Sequence, residues 1–180
     1  FYPLHFEPEV SIQVFGKGYQ NQIELIRNIA LSLPIGMKLL VKEHPRSKGF
    51  RNLRYYQKIL EIPNVKFIKA DVSTNVVVKH STIVAVISGS TGLEAAIIGK
   101  PVVTFGKPVY NILPNNMVRY ISDINNLDFE IKSLLKEYNQ DNEILVNYIA
   151  AIIQGSTPVD LYTALLGKEG RFSGNGNDND

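Results

Sequence analysis

Apolar runs alternate with amphipathic stretches from residue 1 to about residue 120. Phe1 to His5 reads as a short strand. Ile23, Ile26, Ile29, Ala30 and Leu33 then recur at helical spacing, which predicts a helix over 19–33, ended by Pro34 and Gly36. KLLVKE (38–43) predicts a strand, 53–62 a helix and VKFIKA (65–70) another strand, with Pro63-Asn64 as the break between the last two. Ser73 is placed to cap a short helix through Lys79. The most apolar unit follows: a buried strand over 83–87, a small-polar turn Ser88-Gly89-Ser90-Thr91 and a helix from Gly92. Gly99-Lys100-Pro101 stops that helix before a second strand over 102–105.

Strands and helices in this order pack most economically as an α/β Rossmann-like domain, a parallel sheet with helices on both faces. After Arg119 the pattern turns helical. Amphipathic stretches over 128–138, 142–154 and 158–166 are expected to pack on the sheet or on a partner domain. The terminal GNGNDND predicts a disordered tail over 168–180, leaving 1–167 as one domain.

Composition narrows the function classes. At 180 residues and 44% hydrophobic the chain can bury one good core. A net charge of +2 supplies no field for nucleic acid. The absence of cysteine removes disulfides and thiolate metal sites. The longest apolar run falls far short of the roughly 20 residues a membrane span needs, and no signal peptide is visible. The chain opens with Phe1-Tyr2-Pro3, so the expectation is a longer protein with a further domain.

The candidate chemistry centres on the turn at 88–92. A strand feeding a Gly/Ser/Thr turn and a helix N-terminus offers amide donors and a positive dipole end to an anion. Two readings of Glu94 compete. Thr91-Gly92-Leu93-Glu94 has capping-box spacing, in which Thr91 and Glu94 satisfy each other's amides. Alternatively, Glu94 accepts from two ribose hydroxyls while Ser88, Ser90 and Thr91 meet phosphates, and Gly89 and Gly92 allow close backbone approach. Pro45 biases His44 to an extended conformation at the carboxyl end of its strand, where open parallel sheets bind ligands. A packed strand-end histidine is the plain alternative. Glu7 and Glu9 form either an acid/base pair or a solvated loop. The basic turn around Arg46 and Arg51 clamps an anion or is simply solvated. Lys100 fits a helix C-terminus better than catalysis. No GxxxxGK[ST] loop is present, and His5, His44 and His80 lack zinc-ligand spacing.

PLHFEPE (3–9), LLVKEHPRSKGFRN (39–52), PNVKFI (63–68) and SGSTGLEAAIIGKPVVTFG (88–106) with Tyr110 together resemble the capsule polysaccharide biosynthesis family, GT-B-type glycosyltransferases related to bacterial Kdo transferases. The resemblance covers roughly residues 1–115. It implies one half of a GT-B fold, the donor-binding half, with an acceptor domain missing and a metal-free, cofactor-free mechanism. The donor would be a nucleotide sugar, CMP- or UDP-linked, and the acceptor a glycan or glycolipid. The setting would be cytoplasmic, at the inner face of the membrane. His44 and Pro45 resemble the HP motif that contacts the donor phosphate or cytidine. Ser88, Gly89, Ser90, Thr91 and Gly92 resemble the phosphate turn, and Glu94 the ribose carboxylate. Glu7 and Glu9 match the acidic segment facing the interdomain cleft, with His44, Glu7 and Glu9 as the catalytic candidates. Lys42, Arg46 and Arg51 would add to a cationic field. The chain is more distantly similar to UDP-N-acetylglucosamine 2-epimerases. A non-catalytic nucleotide-sugar-binding module is the third reading.

Overall fold

The computed structural model describes residues 1–7, 13–14, 16–44, 47 and 50–156. Glu9, Pro45, Arg46, the helix expected over 158–166, the boundary at 167 and the tail over 168–180 lie outside the described residues.

Six short strands alternate with helices: β1 (Tyr2–Pro3), α1 (Gln22–Ser32), β2 (Leu39–Lys42), α2 (Leu53–Leu60), β3 (Val65–Ile68), α3 (Thr74–His80), β4 (Val84–Val86), α4 (Ser90–Ile97), β5 (Val102–Thr104) and β6 (Val118–Tyr120). Helix α5 (Leu127–Glu137) follows, then α6 (Asn142–Gly155). All strand pairs are parallel. β1 pairs with β2 (Tyr2 opposite Val41) and β2 with β3 (Leu39 opposite Val65). β4 pairs with β5 (Val84 opposite Val102) and β5 with β6 (Val102 opposite Val118).

These ladders make two three-stranded sheets. Phe1 joins them, its nitrogen donating to the Ile83 carbonyl and its carbonyl accepting from the Ala85 amide, each at 2.8 Å. The spatial order is therefore β3-β2-β1-β4-β5-β6, the order of a doubly wound dinucleotide-type domain.

The strand faces alternate as a pleated sheet requires. Ile83, Ala85 and Ile87 join a core cluster with Leu25, Ile26 and Ile29 of α1, Ile59 of α2, and Leu127, Ile131 and Leu134 of α5. Val84 and Val86 point the other way; a side chain on Gly92 of α4 would strike Val86. Both faces of the sheet are thus covered, as the strand–helix alternation predicts. Burying side chains of this size stabilises by about 1.5–3 kcal/mol each before entropy is counted.

Two local expectations are corrected. Helix α4 starts at Ser90 rather than Gly92, because Gly89 takes the N-cap position and the Gly92 amide already bonds the Gly89 carbonyl at 3.1 Å. β6 follows a loop where the residue pattern only signals a change: three residues with one fully buried side chain, Val118, are too few to show a period. The stop after α4 is a Schellman motif, with Gly99 at φ 78° and the Lys100 amide reaching back to the Ala95 carbonyl at 2.9 Å.

The chain divides into two compact units, Phe1–Leu145 and a second from Val146. In the second unit the described residues are helical through Gly155.

Candidate functional site

From β1 the chain winds outward to β2 and β3; from β4 it winds the opposite way to β5 and β6. Between β1 and β4 the winding reverses, and in open α/β sheets ligands bind in the crevice beyond the carboxyl ends at that point. Three segments end there: Leu4 to Glu7 after β1, Glu43-His44 after β2, and Ile87 to Thr91 after β4. Because β1 lies between β2 and β4, His44 is two strand spacings from the turn, about 10 Å at the strand tips.

His5 fills the place between them. Its Nε2 accepts from the Ile87 amide at 3.1 Å. A Cβ on Gly89 would lie 3.0 Å from its Cε1. Only 5% of the residue is exposed, and burial, with His44 and Arg51 nearby, lowers its pKa to about 4. The ring is neutral in the physiological range. Sequence spacing set His5 aside as one of three scattered histidines; its position just past the opening strand was the available signal.

The main chain of His5 is held as firmly. Gln22, buried in the first turn of α1, accepts from the His5 amide at 2.8 Å and donates to the His5 carbonyl at 3.1 Å. The same side chain accepts from the Tyr2 hydroxyl and donates to Glu7. Gln22 also escapes a motif search, since a glutamine on an amphipathic helix gives no spacing signal.

Arg51 ties β1 to β2. It donates to Glu43 Oε1 at 2.5 Å and to the His5 carbonyl at 2.7 Å, lies 3.5 Å from Glu7 Oε1, and stacks on Tyr55 at 5.0 Å. Glu43, 4% exposed, also accepts from the His44 amide at 2.8 Å and from the Tyr56 hydroxyl at 2.6 Å. This corrects the expectation that Arg51 adds a free positive charge to a phosphate site. Two carboxylates already balance it. Lys42 is likewise buried; that burial lowers its pKa, with Asp71 and Glu43 pulling the other way. Glu7 sits at the rim within the same network, held by Gln22 and Arg51. The His44 ring packs near Phe6, centroids 6.0 Å apart.

Across the crevice, α4 presents its N-terminus. The Tyr110 hydroxyl donates to the Gly89 carbonyl at 2.7 Å. A Cβ on Gly92 would overlap that hydroxyl and lie 2.9 Å from both Tyr110 Cζ and Val86 Cγ2. The space that the missing Cβ atoms of Gly89 and Gly92 leave is taken by the protein's own side chains, His5 beside Gly89 and Tyr110 with Val86 beside Gly92. The capping box does not form. With Gly89 as N-cap, Thr91 lies inside the helix, and the exposed Glu94 accepts from the Ser90 hydroxyl at 3.1 Å. Its carboxylate is exposed on the first turns of the helix.

The family model for capsule polysaccharide biosynthesis proteins matches residues 2–114, a span that contains all three of these segments. This chain belongs to the capsule polysaccharide biosynthesis protein family. Protein FixF of Sinorhizobium fredii is 32% identical over 119 residues, 62% of this chain and 27% of FixF. KpsC of Thermosulfurimonas dismutans, a beta Kdo 2,7 transferase, superposes with a TM-score of 0.54 at 18% identity over 83% of this chain and 53% of its own. A glycotransferase of kitacinnamycin superposes at 0.45, with 12% identity over 83% of this chain and 37% of that one. The likeness to KpsC establishes the α/β fold. This member of the capsule family spans about a quarter of FixF and about half of KpsC. No helix among its described residues is long and apolar enough to cross a membrane.

Proposed function

We propose that this chain is the donor-binding domain of a glycosyltransferase. It would transfer a sugar from a nucleotide-activated donor, CMP-linked and Kdo-like, to a growing capsular or surface polysaccharide. One observation carries this reading: three strand ends converge at the point where the sheet's winding reverses, with the N-terminus of α4 on one side and His44 on the other. The family's capsule role supports a glycan acceptor, and the beta Kdo 2,7 transferase KpsC, which shares the fold, supports a Kdo-like donor. The CMP linkage follows from the resemblance of His44-Pro45 to the HP motif.

In the reaction, the acceptor hydroxyl oxygen bonds to the anomeric carbon of the donor. The bond from that carbon to the phosphate oxygen breaks, and the electron pair leaves with the nucleotide. Negative charge grows on the phosphate as it departs. Amides at the start of α4 and the His44 imidazole would receive it, and one such donor in a preorganised site is worth about 3–4 kcal/mol. Glu94 would accept from the ribose hydroxyls. Gln22 and Arg51 already engage Glu7, so Glu7 belongs to the frame that carries both histidines. The base that takes the acceptor's proton is assigned to a group outside the described residues, Glu9 or a facing acceptor domain.

Calorimetric titration of CMP and UDP into the full-length protein tests this reading. Saturable CMP binding, tighter than UDP, is expected. Failure of both nucleotides to bind at millimolar concentration overturns it.

A further inference from the structure

His5 has no role in the transfer just described, yet the fold spends many contacts on it. Its amide and carbonyl are both held by Gln22, and the carbonyl also by Arg51. Its Nε2 accepts from the Ile87 amide, one residue before the turn. Its ring occupies the space that a side chain at Gly89 would need. Gly89 is the N-cap of α4, and its carbonyl is bound from the far side by Tyr110. The residue that opens the anion-facing helix is therefore gripped between an imidazole and a phenol.

We propose that His5 is a positioning residue for the nucleotide turn: by accepting from the Ile87 amide and packing against Gly89, it sets the direction in which the chain enters α4 and so where the first-turn amides point. This rests on the donor-site reading above. An Nε2 that accepts cannot carry the proton, so the neutral ring bears it on Nδ1. The charged or titratable groups facing the ring are His44 and Arg51, with the Tyr2 ring tilted against it, centroids 6.1 Å apart. Burial first, with His44 and Arg51 acting in the same direction, keeps the acceptor lone pair available. A protonated ring would present a second donor to the Ile87 amide and lose the bond.

Two variants separate the acceptor from mere bulk. In His5→Gln the side-chain oxygen can reach the position of Nε2 and accept from Ile87. In His5→Phe the ring packs but the amide is left unsatisfied, a loss that translates into about a tenfold weaker nucleotide affinity. The measurements are CMP affinity of the full-length protein, amide exchange at Ile87 and Ser90 without nucleotide, and long-range proton–nitrogen spectra of the His5 ring. Expected are a Gln variant within about threefold of wild type, a Phe variant folded but about tenfold weaker, and faster exchange at both amides in the Phe variant alone. Equal affinity and exchange in the Phe variant and wild type overturn the proposal. So does a Gln variant as impaired as Phe, or a wild-type ring protonated on Nε2. Should wild type bind no nucleotide, the donor-site reading falls, and the exchange rates then decide the role of His5 in the turn: unchanged exchange in the Phe variant rejects it, faster exchange in that variant alone supports it.

Discussion

Single atoms at the crevice decide how much of this site is architecture and how much is free to meet a ligand. Gly92 is architecture. Replacing it with alanine drives Cβ into Tyr110 and Val86, so Gly92→Ala should cost about 1–3 kcal/mol, read as a lowered unfolding midpoint in urea. Glu94 is the opposite case, since its one hydrogen bond to Ser90 is exposed. Glu94→Ala should change stability by no more than about 0.5 kcal/mol while weakening nucleotide binding. The reverse pattern would make Glu94 a helix-start residue after all. His5 adds a pH signature. Its folded pKa of about 4 lies below the unfolded value of 6.5, so as pH falls the unfolded chain takes up the proton first. The contribution is complete above about pH 6.5 and fades toward pH 4, by at most about 3 kcal/mol. Chemical unfolding across that range should show the slope in wild type and a flatter one in His5→Gln.

At the level of elements, the loops after β1 and β2 are bound into one piece by the Glu43–Arg51–Glu7 network. Arg51→Met would leave the Glu43 carboxylate buried without its cation, at a cost of about 3–5 kcal/mol. Adding Glu43→Gln should recover much of that, and a double variant no more stable than the single one would show that the pair does not couple. Most strands and helices are legible because their apolar residues repeat at a clear period: Ile26 and Ile29 on α1, Ile131 and Leu134 on α5. The start of α4 was misplaced by two residues because Thr91 and Glu94 carry a capping-box spacing, while the residue that caps is a glycine with no side chain to announce itself. β6 is not legible because it is three residues long and is defined by its pairing with β5, Val102 opposite Val118, rather than by a pattern of its own.

For the unit from Phe1 to Leu145, the decisive fact is the strand order, and no local pattern carries it. The segments around His44 and residues 88–94 could be picked out as candidate chemistry from their residue types and from the family resemblance. That His5 stands between them, and that Gln22 and Arg51 hold it, follows only once β1 is placed beside β4 by the Phe1 hydrogen bonds. The same order makes the two edges of the sheet distinguishable. At the opposite, amino-terminal edge lies a pocket of about 250 Å³ lined by residues including Leu33, Met37, Lys38, Ser81 and Ile83, which the account leaves without a nucleotide. Amide-shift mapping of the full-length protein during a CMP titration tells the two edges apart. The largest shifts are expected at Ile87 to Thr91, at Glu94 and at His5 and His44; shifts centred on Lys38 and Ser81 to Ile83 would place the nucleotide at the other edge and overturn the donor site.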